Sequence, residues 1–275
     1  MILDRLGRVV RQVVLLAFTL SALLPVYVML SGSLRTQQDF LNHPLGLPTS
    51  PRLDAYHTAI NNHFPQWLLN SLILTGASVV ITLVFSSLAA WGLSRWQFMG
   101  RDVLLSLIIS LMVIPPVVLV VPLFLLGAEL DLIDTRRIVI AIYVGLMMPF
   151  SVYMLAAYFR TIPRSLIEAA EIDGASSLQV FLRVVVPLSG APLITLAVVN
   201  ALWVWNELLI ALVFLQSQSS LTLMAGLTGF QNRYNLNIPV VMAGLSIATL
   251  PIFALYLFGQ RFFMRGLVAG ALKGN

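Results

Sequence analysis

The chain alternates long apolar runs with short polar interruptions. A helix needs about 20 consecutive apolar residues to cross a bilayer. Six runs meet that need, at residues 12–31, 67–93, 103–126, 138–159, 184–215 and 239–263. The pattern predicts an all-α polytopic membrane protein with six transmembrane helices in one domain over residues 1–275. Arg5, Arg8 and Arg11 precede the first run, so a cleaved signal peptide is the competing reading there. That run exceeds a signal-peptide core and lacks a small-x-small cleavage site, and so reads as an uncleaved first span. Pro25, Pro115, Pro116, Pro149, Pro192 and Pro251 fall within the runs. Such prolines kink helices and suit a moving bundle, although proline is common in membrane helices. Ser86, Ser87, Ala89, Ala90 and Gly92 give the second run a face that packs closely on another helix. The longest loop, residues 32–66, holds Pro44, Pro48 and Pro51 and predicts partly extended chain.

The connector at residues 160–183 breaks this simple alternation. It reads "RTIPRSLIEAAEIDGASSLQVFLR". Ser165 with Glu168 has the spacing of a capping box, in which hydroxyl and carboxylate each bond the other residue's backbone N–H. Leu166, Ile167, Ala169, Ala170 and Ile172 carry the helix on, and Gly174 offers a left-handed stop. Ser176 with Gln179 spells a second box. The segment therefore predicts a short helix, a hinge at Gly174, and a second helix entering the fifth run. Ala169 and Ala170 leave a low surface rimmed by Glu168, Glu171 and Asp173. A small flat helix of this kind fits a groove in another protein. Lying on lipid is the alternative, but anionic lipid repels the acidic rim.

Composition supports the membrane reading. The chain is 59% hydrophobic and 10% charged, against about 25% charged residues in soluble domains. Net charge is +5. In a soluble protein that would raise nucleic acid as a partner. Here the cations flank apolar runs, so they report orientation in a lipid bilayer. Arg5, Arg8, Arg11, Arg95, Arg101, Arg160, Arg164, Arg183, Arg261, Arg265 and Lys273 would share one side. Arg35, Arg52, Arg136, Arg137 and Arg233 would share the other. The bias predicts cytoplasmic N- and C-termini and a cytoplasmic connector at 160–183.

Several chemistries are missing. There is no cysteine, and His43, His57 and His63 match no metal-ligand spacing, so no metal site is expected. No G-x-x-x-x-G-K-[ST] motif occurs. The chain is expected to be non-catalytic, with no bound cofactor, and any ATP-driven work must come from a partner.

Glu207 lies within the fifth run, beside Asn206 and near Asn200, Trp203 and Trp205. An acidic residue at bilayer depth costs about 2.5–3.5 kcal/mol on insertion scales, and faces the bundle interior or a cavity, or is protonated. These five residues could line a translocation pathway, with tryptophan faces and polar groups suited to sugars. They could equally fix helix packing through a buried hydrogen bond.

Glu168-Ala169-Ala170, then Gly174 and Val184-Val185-Val186-Pro187, resembles the EAA loop of ABC importer permeases, with Val where the family has Ile and Leu. "LDLIDT" at 130–135, "WNELL" at 205–209, "LTLMAGL" at 221–227 and the tail at 260–274 are similar to the maltose-type carbohydrate-uptake branch. The resemblance implies a type I ABC importer permease in the bacterial cytoplasmic membrane. It implies a cytoplasmic coupling helix in which Glu168, Ala169, Ala170, Asp173 and Gly174 contact an ATPase. The implied partners are a second homologous permease, two ATPase subunits that bind ATP and Mg, and an extracytoplasmic solute-binding protein. The implied cargo is a mono- or oligosaccharide. In the tail, Arg265, Gly270 and Lys273 would contact the ATPase pair or set orientation. A permease for another solute, such as a phosphorylated polyol or an amino acid, stays open. A secondary transporter is a further alternative, disfavoured by the single intramembrane acid and the absence of repeats.

Overall fold

A computed structural model describes residues 2–61, 63–229, 231–232 and 235–271. The chain forms two compact units, Met1–Gln66 with Gly226–Pro251, and Trp67–Ala225 with Ile252–Asn275.

The first unit begins with α1 (Ile2–Ser33), whose most apolar 18-residue window holds no buried residue, although Ser31 and Ser33 at its end are buried. Such a face is left for lipid or another protein. The sequence predicts partly extended chain in the loop after it; the proline-bearing middle, residues 43–53, holds no helix, but short helices flank it. These are α2 (Gln37–Asn42) and α3 (Asp54–Asn61). The reason is local. Thr36 holds extended backbone and its side chain accepts from the Asp39 N–H at 3.2 Å, capping α2. The buried Arg35 side chain donates to the His43 carbonyl at 2.6 Å and the Leu47 carbonyl at 3.0 Å, and pairs with Asp39 at 3.0 Å. Tyr27 and Ser31 hydroxyls each donate to the Gly46 carbonyl at 3.0 Å. These bonds roll the proline-bearing loop back onto α1. Ala55 and Ala59 of α3 pack on Val240 and Ala243 of α14 (Ile238–Ala271). A two-residue hairpin, β1 (Gln231–Asn232) with β2 (Asn235–Leu236), precedes α14.

The second unit is built on α4 (Phe64–Arg95) and α7 (Arg136–Phe159). Half of the most apolar window of α7 is buried, including Val139, Tyr143, Leu155 and Ala156. The third apolar run is not one straight helix. It divides into α5 (Arg101–Leu111) and α6 (Pro116–Glu129), which meet at 95°. Pro115 is extended and Pro116 starts α6, because two successive prolines cannot continue a helix through their own nitrogens.

The fifth run is broken as well. Beyond α8 (Arg164–Ile172), α9 (Ser177–Val180), a π-turn at Phe181–Val185 and α10 (Val186–Leu188) form one helical stretch. It bends 76° into α11 (Gly190–Asn206). After Glu207 the chain restarts as α12 (Leu209–Phe214), then α13 (Leu223–Thr228). Among the described residues, four helices are long and apolar enough to cross a membrane, or up to six spans if each bent pair counts as one. The protein is an all-α polytopic membrane protein.

A polar clamp ties the α12–α13 connector to α4 and α7. Asp134, at a left-handed φ of 61°, accepts from the Gln216 N–H at 2.8 Å, the Ser217 N–H at 3.1 Å and the Ser220 hydroxyl. Asn70 of α4 donates to the Ser219 and Leu221 carbonyls and accepts from Arg136 at 2.6 Å. Trp67 donates its indole N–H to the Gln218 carbonyl at 2.7 Å. A loop with this many backbone partners is held in one shape.

Candidate functional site

α8 is where the polar connector becomes a defined surface. The first capping box does not form. Pro163 occupies the N-cap and the helix begins at Arg164, so Ser165 lies inside the first turn, where its side chain makes no cap. The end of the helix follows the sequence closely. Gly174 has φ +83°, its N–H donates to the Glu171 carbonyl, and the Ala175 N–H donates to the Ala170 carbonyl. That pair of bonds is a Schellman stop, which favours glycine because a Cβ is strained at such a φ. The second capping box is complete. Ser176 Oγ accepts from the Gln179 N–H, and Gln179 Oε1 accepts from the Ser176 N–H at 2.8 Å.

Packing fixes which way α8 points. Ile167 is buried with Trp91, Phe159, Phe181 and Val185 in the core of the second unit. Arg95 Nη2 lies 2.8 and 2.9 Å from the two carboxylate oxygens of Glu171, holding α8 to the end of α4. Glu168, Ala169, Asp173 and Gly174 are exposed, and Ala170 is half-buried. Leu166 and Ile172 are also exposed, with Ile172 at 85%. The result is a short knob, rigid at its root and apolar with acidic edges on its free side. The five residues named from the sequence are thus brought together. Arg95, which anchors them, was missed, since nothing local links it to a residue 76 positions away.

The five intramembrane candidates separate. Asn200 is buried and donates to Ser151 Oγ at 3.1 Å. Trp205 is buried, and Asn206 is exposed and bonds the Leu202 carbonyl of its own helix. Trp203 stands edge-on to Tyr143, with centroids 5.7 Å apart, and lines a cleft of about 810 Å³. The elbow between α5 and α6 and the face of α7 make the rest of that cleft, through residues such as Met112, Pro116, Leu119 and Ile142. Its walls are almost wholly apolar.

Glu207 sits at the helix break. Oε2 accepts from the Tyr143 hydroxyl at 2.7 Å and the Ala211 N–H at 3.2 Å, and Oε1 accepts from the Ile210 N–H at 2.8 Å. The carboxylate thus closes α11 and caps α12, where the first free N–H groups and the helix dipole favour negative charge. A carboxylate two residues before a helical segment can reach its free N–H groups, a signal that a continuous apolar run conceals. In the tail, Arg265 and Gly270 belong to α14, but their surroundings, and the whole of Lys273, lie outside the described residues.

Residues 82–268 match the family described as the binding-protein-dependent transport system inner membrane component. A chain of Caldicellulosiruptor sp. described as an ABC transporter permease protein is 38% identical over 94% of this chain and 95% of its own. The melibiose/raffinose/stachyose import permease of Bacillus subtilis is 33% identical, covering 91% of both chains. Among solved structures, a chain of a bacterial ABC transporter involved in import of the acidic polysaccharide alginate superposes with a TM-score of 0.83. It is 26% identical, over 94% of this chain and 97% of that one. A knob-bearing, all-α bundle and these relatives lead to one conclusion: the chain belongs to the binding-protein-dependent transport system inner membrane components and is an ABC transporter permease.

Proposed function

We propose that this permease forms part of the pathway for a mono- or oligosaccharide entering a bacterial cell. The cargo reading rests on its similarity to a permease named for melibiose, raffinose and stachyose and to one of an alginate importer. The bent helix pairs each act as one span, giving six. Both termini, and the connector at 160–183, face the cytoplasm in this reading, which the distribution of Lys and Arg supports.

The observation that carries the mechanism is α8, an exposed knob rooted by Ile167 and Arg95 and ended by a left-handed glycine. Glu168, Ala169, Ala170, Asp173 and Gly174 form the surface that an ATPase subunit grips. Two such subunits bind ATP and Mg, and their closure moves α8. Motion passes through the Ile167 cluster to α4, α7 and α11, because packed interiors transmit displacement rather than absorb it. A second permease completes the pathway, and an external binding protein delivers the sugar. This chain hydrolyses nothing itself. Trp203 is the pathway candidate, since its ring faces the large cleft. Glu207, Asn200 and Trp205 hold the helices around it, and Arg265, Gly270 and Lys273 add to the ATPase contact.

The test is reconstitution of the complete complex in proteoliposomes with candidate solutes. The expected result is ATP hydrolysis stimulated by an oligosaccharide together with its binding protein. Stimulation by an amino acid or a phosphorylated polyol instead would overturn the cargo. Hydrolysis by this chain alone would overturn the mechanism.

A further inference from the structure

Behind the free face of α8 lies a second, smaller cleft of about 240 Å³. Four arginines line it: Arg95 at the end of α4, Arg101 at the start of α5, Arg160 just beyond α7, and Arg164 at the start of α8. No Asp or Glu is among its lining residues. Glu171 reaches Arg95 and Arg101 Nε is spent on the Leu93 carbonyl at 2.7 Å. Arg160 and Arg164 are exposed and have no ion-pair or side-chain hydrogen-bond partner among the described residues. Trp91, 5% exposed, also lines the cleft, and its buried indole N–H lacks an acceptor. Gln97 and Ser94 complete the polar wall.

Arg95 is paired with Glu171, but the other three like charges around one small space repel one another, and a buried donor without an acceptor is costly. An anion with several oxygens relieves both. Guanidinium groups match phosphate oxygens in paired hydrogen bonds, and the volume admits a group several water molecules in size. A carboxylate on a docked protein fits less well. The cleft lies against Ile167, on the anchored side of α8, whereas none of Glu168, Ala169 and Asp173, the exposed residues offered to a protein partner, lines it. Trp96, Phe98 and Met99 sit exposed in the same corner, with the Trp96 ring 6.5 Å from that of Trp91. Apolar residues beside a basic pocket at a helix end are what an anionic headgroup and its chains require.

We propose that this arginine cleft binds a phosphate group, borne by an anionic phospholipid or by a free phosphate, and that the bound anion joins the ends of α4 and α7 to the root of α8. The site is separate from the pathway and from the ATPase-facing surface.

The full-length chain, purified and delipidated, is analysed by native mass spectrometry with phosphatidylglycerol, phosphatidylcholine or inorganic phosphate. The expected result is retention of phosphatidylglycerol over phosphatidylcholine, reduced roughly tenfold or more in the Arg160→Gln/Arg164→Gln double variant. The Arg160→Lys/Arg164→Lys variant, which keeps the charge, retains most of the binding, and Arg52→Gln, at an exposed residue of the other unit, leaves it intact. Displacement of the lipid by inorganic phosphate, or phosphate retention without lipid preference, supports the site with a free anion as its occupant. Equal retention of both probes by wild type and the glutamine variant overturns the proposal. So does an effect confined to ATPase co-purification, which would make the arginines a protein-docking patch.

Discussion

The Tyr143 hydroxyl donates to Glu207 Oε2 at 2.7 Å, tying the middle of α7 to the break between α11 and α12. The same carboxylate receives two backbone N–H groups of α12. One side chain therefore joins three helices beside the fully buried Tyr143, where each unmet donor is expensive.

Glu207→Ala strands the Tyr143 hydroxyl and the N–H groups of Ile210 and Ala211. The expected loss of stability is about 1–3 kcal/mol. Tyr143→Phe removes one bond and leaves the cap, so about 1 kcal/mol is expected. Glu207→Gln keeps an acceptor and falls between wild type and alanine. Thermal unfolding of the purified chain ranks the three. Full stability of Glu207→Ala would remove the capping role.

Trp203 and Trp205 are two residues apart and should fail differently. Trp205 is buried, so Trp205→Ala opens a cavity at about 3–5 kcal/mol and lowers complex yield. Trp203 borders the large cleft, so Trp203→Ala leaves yield near wild type and reduces uptake. Measuring yield and uptake together separates them. Equal losses in both would place Trp203 in packing.

Asp134 carries a pH dependence. Burial alone would raise its pKa, but bonds from the Ser220 hydroxyl, from Ser217 and from the Gln216 N–H outweigh it and bring the value to about 2. The free carboxyl titrates near about 3.9. The stability it adds is therefore complete above about pH 4 and is lost as pH falls through about 2. Asp134→Ala removes this acid-side loss and costs about 1–3 kcal/mol at neutral pH. Asp134→Asn, which tolerates left-handed backbone and keeps one acceptor oxygen, costs less. Unfolding measured from pH 2 to 7 tests both slopes.

Gly174→Val puts a β-branched residue at φ +83°, where any Cβ is strained by about 1–2 kcal/mol. No atom lies within 4 Å of the added Cβ, so the penalty is all backbone. The helix stop is disturbed while the spans remain inserted. Sugar carried per ATP hydrolysed should fall, and Gly174→Asn should fall less. Coupled transport at the wild-type ratio would show that the stop is dispensable.

What could be read from the chain divides by distance along it. The Gly174 stop and the Ser176–Gln179 box involve residues a few positions apart, and propensity alone finds them. The Ser165 box failed because Pro163 set the helix start two residues early. Apolar length located the six runs but not the elbow at Pro115–Pro116 or the break at Glu207, since hydropathy counts residues and ignores backbone direction. The Asp134 clamp, the Asn70–Arg136 bond and the Arg95–Glu171 pair join residues 66 to 86 positions apart. No local pattern marks them. The same holds for the arginine cleft, where four separate elements deliver one charge each.

The chain has no cysteine, so a single introduced thiol reports one place. Ala169→Cys puts it on the exposed face of α8. With the complete complex in membranes, a short bismaleimide cross-linker, which needs a thiol at each end, should link this cysteine to an ATPase subunit bearing a cysteine in its docking groove. The account predicts that product, together with loss of sugar-stimulated ATP hydrolysis once the link forms. If the thiol reacts freely with soluble maleimide in the assembled complex and no link to the ATPase appears, α8 is not the part that the motor holds.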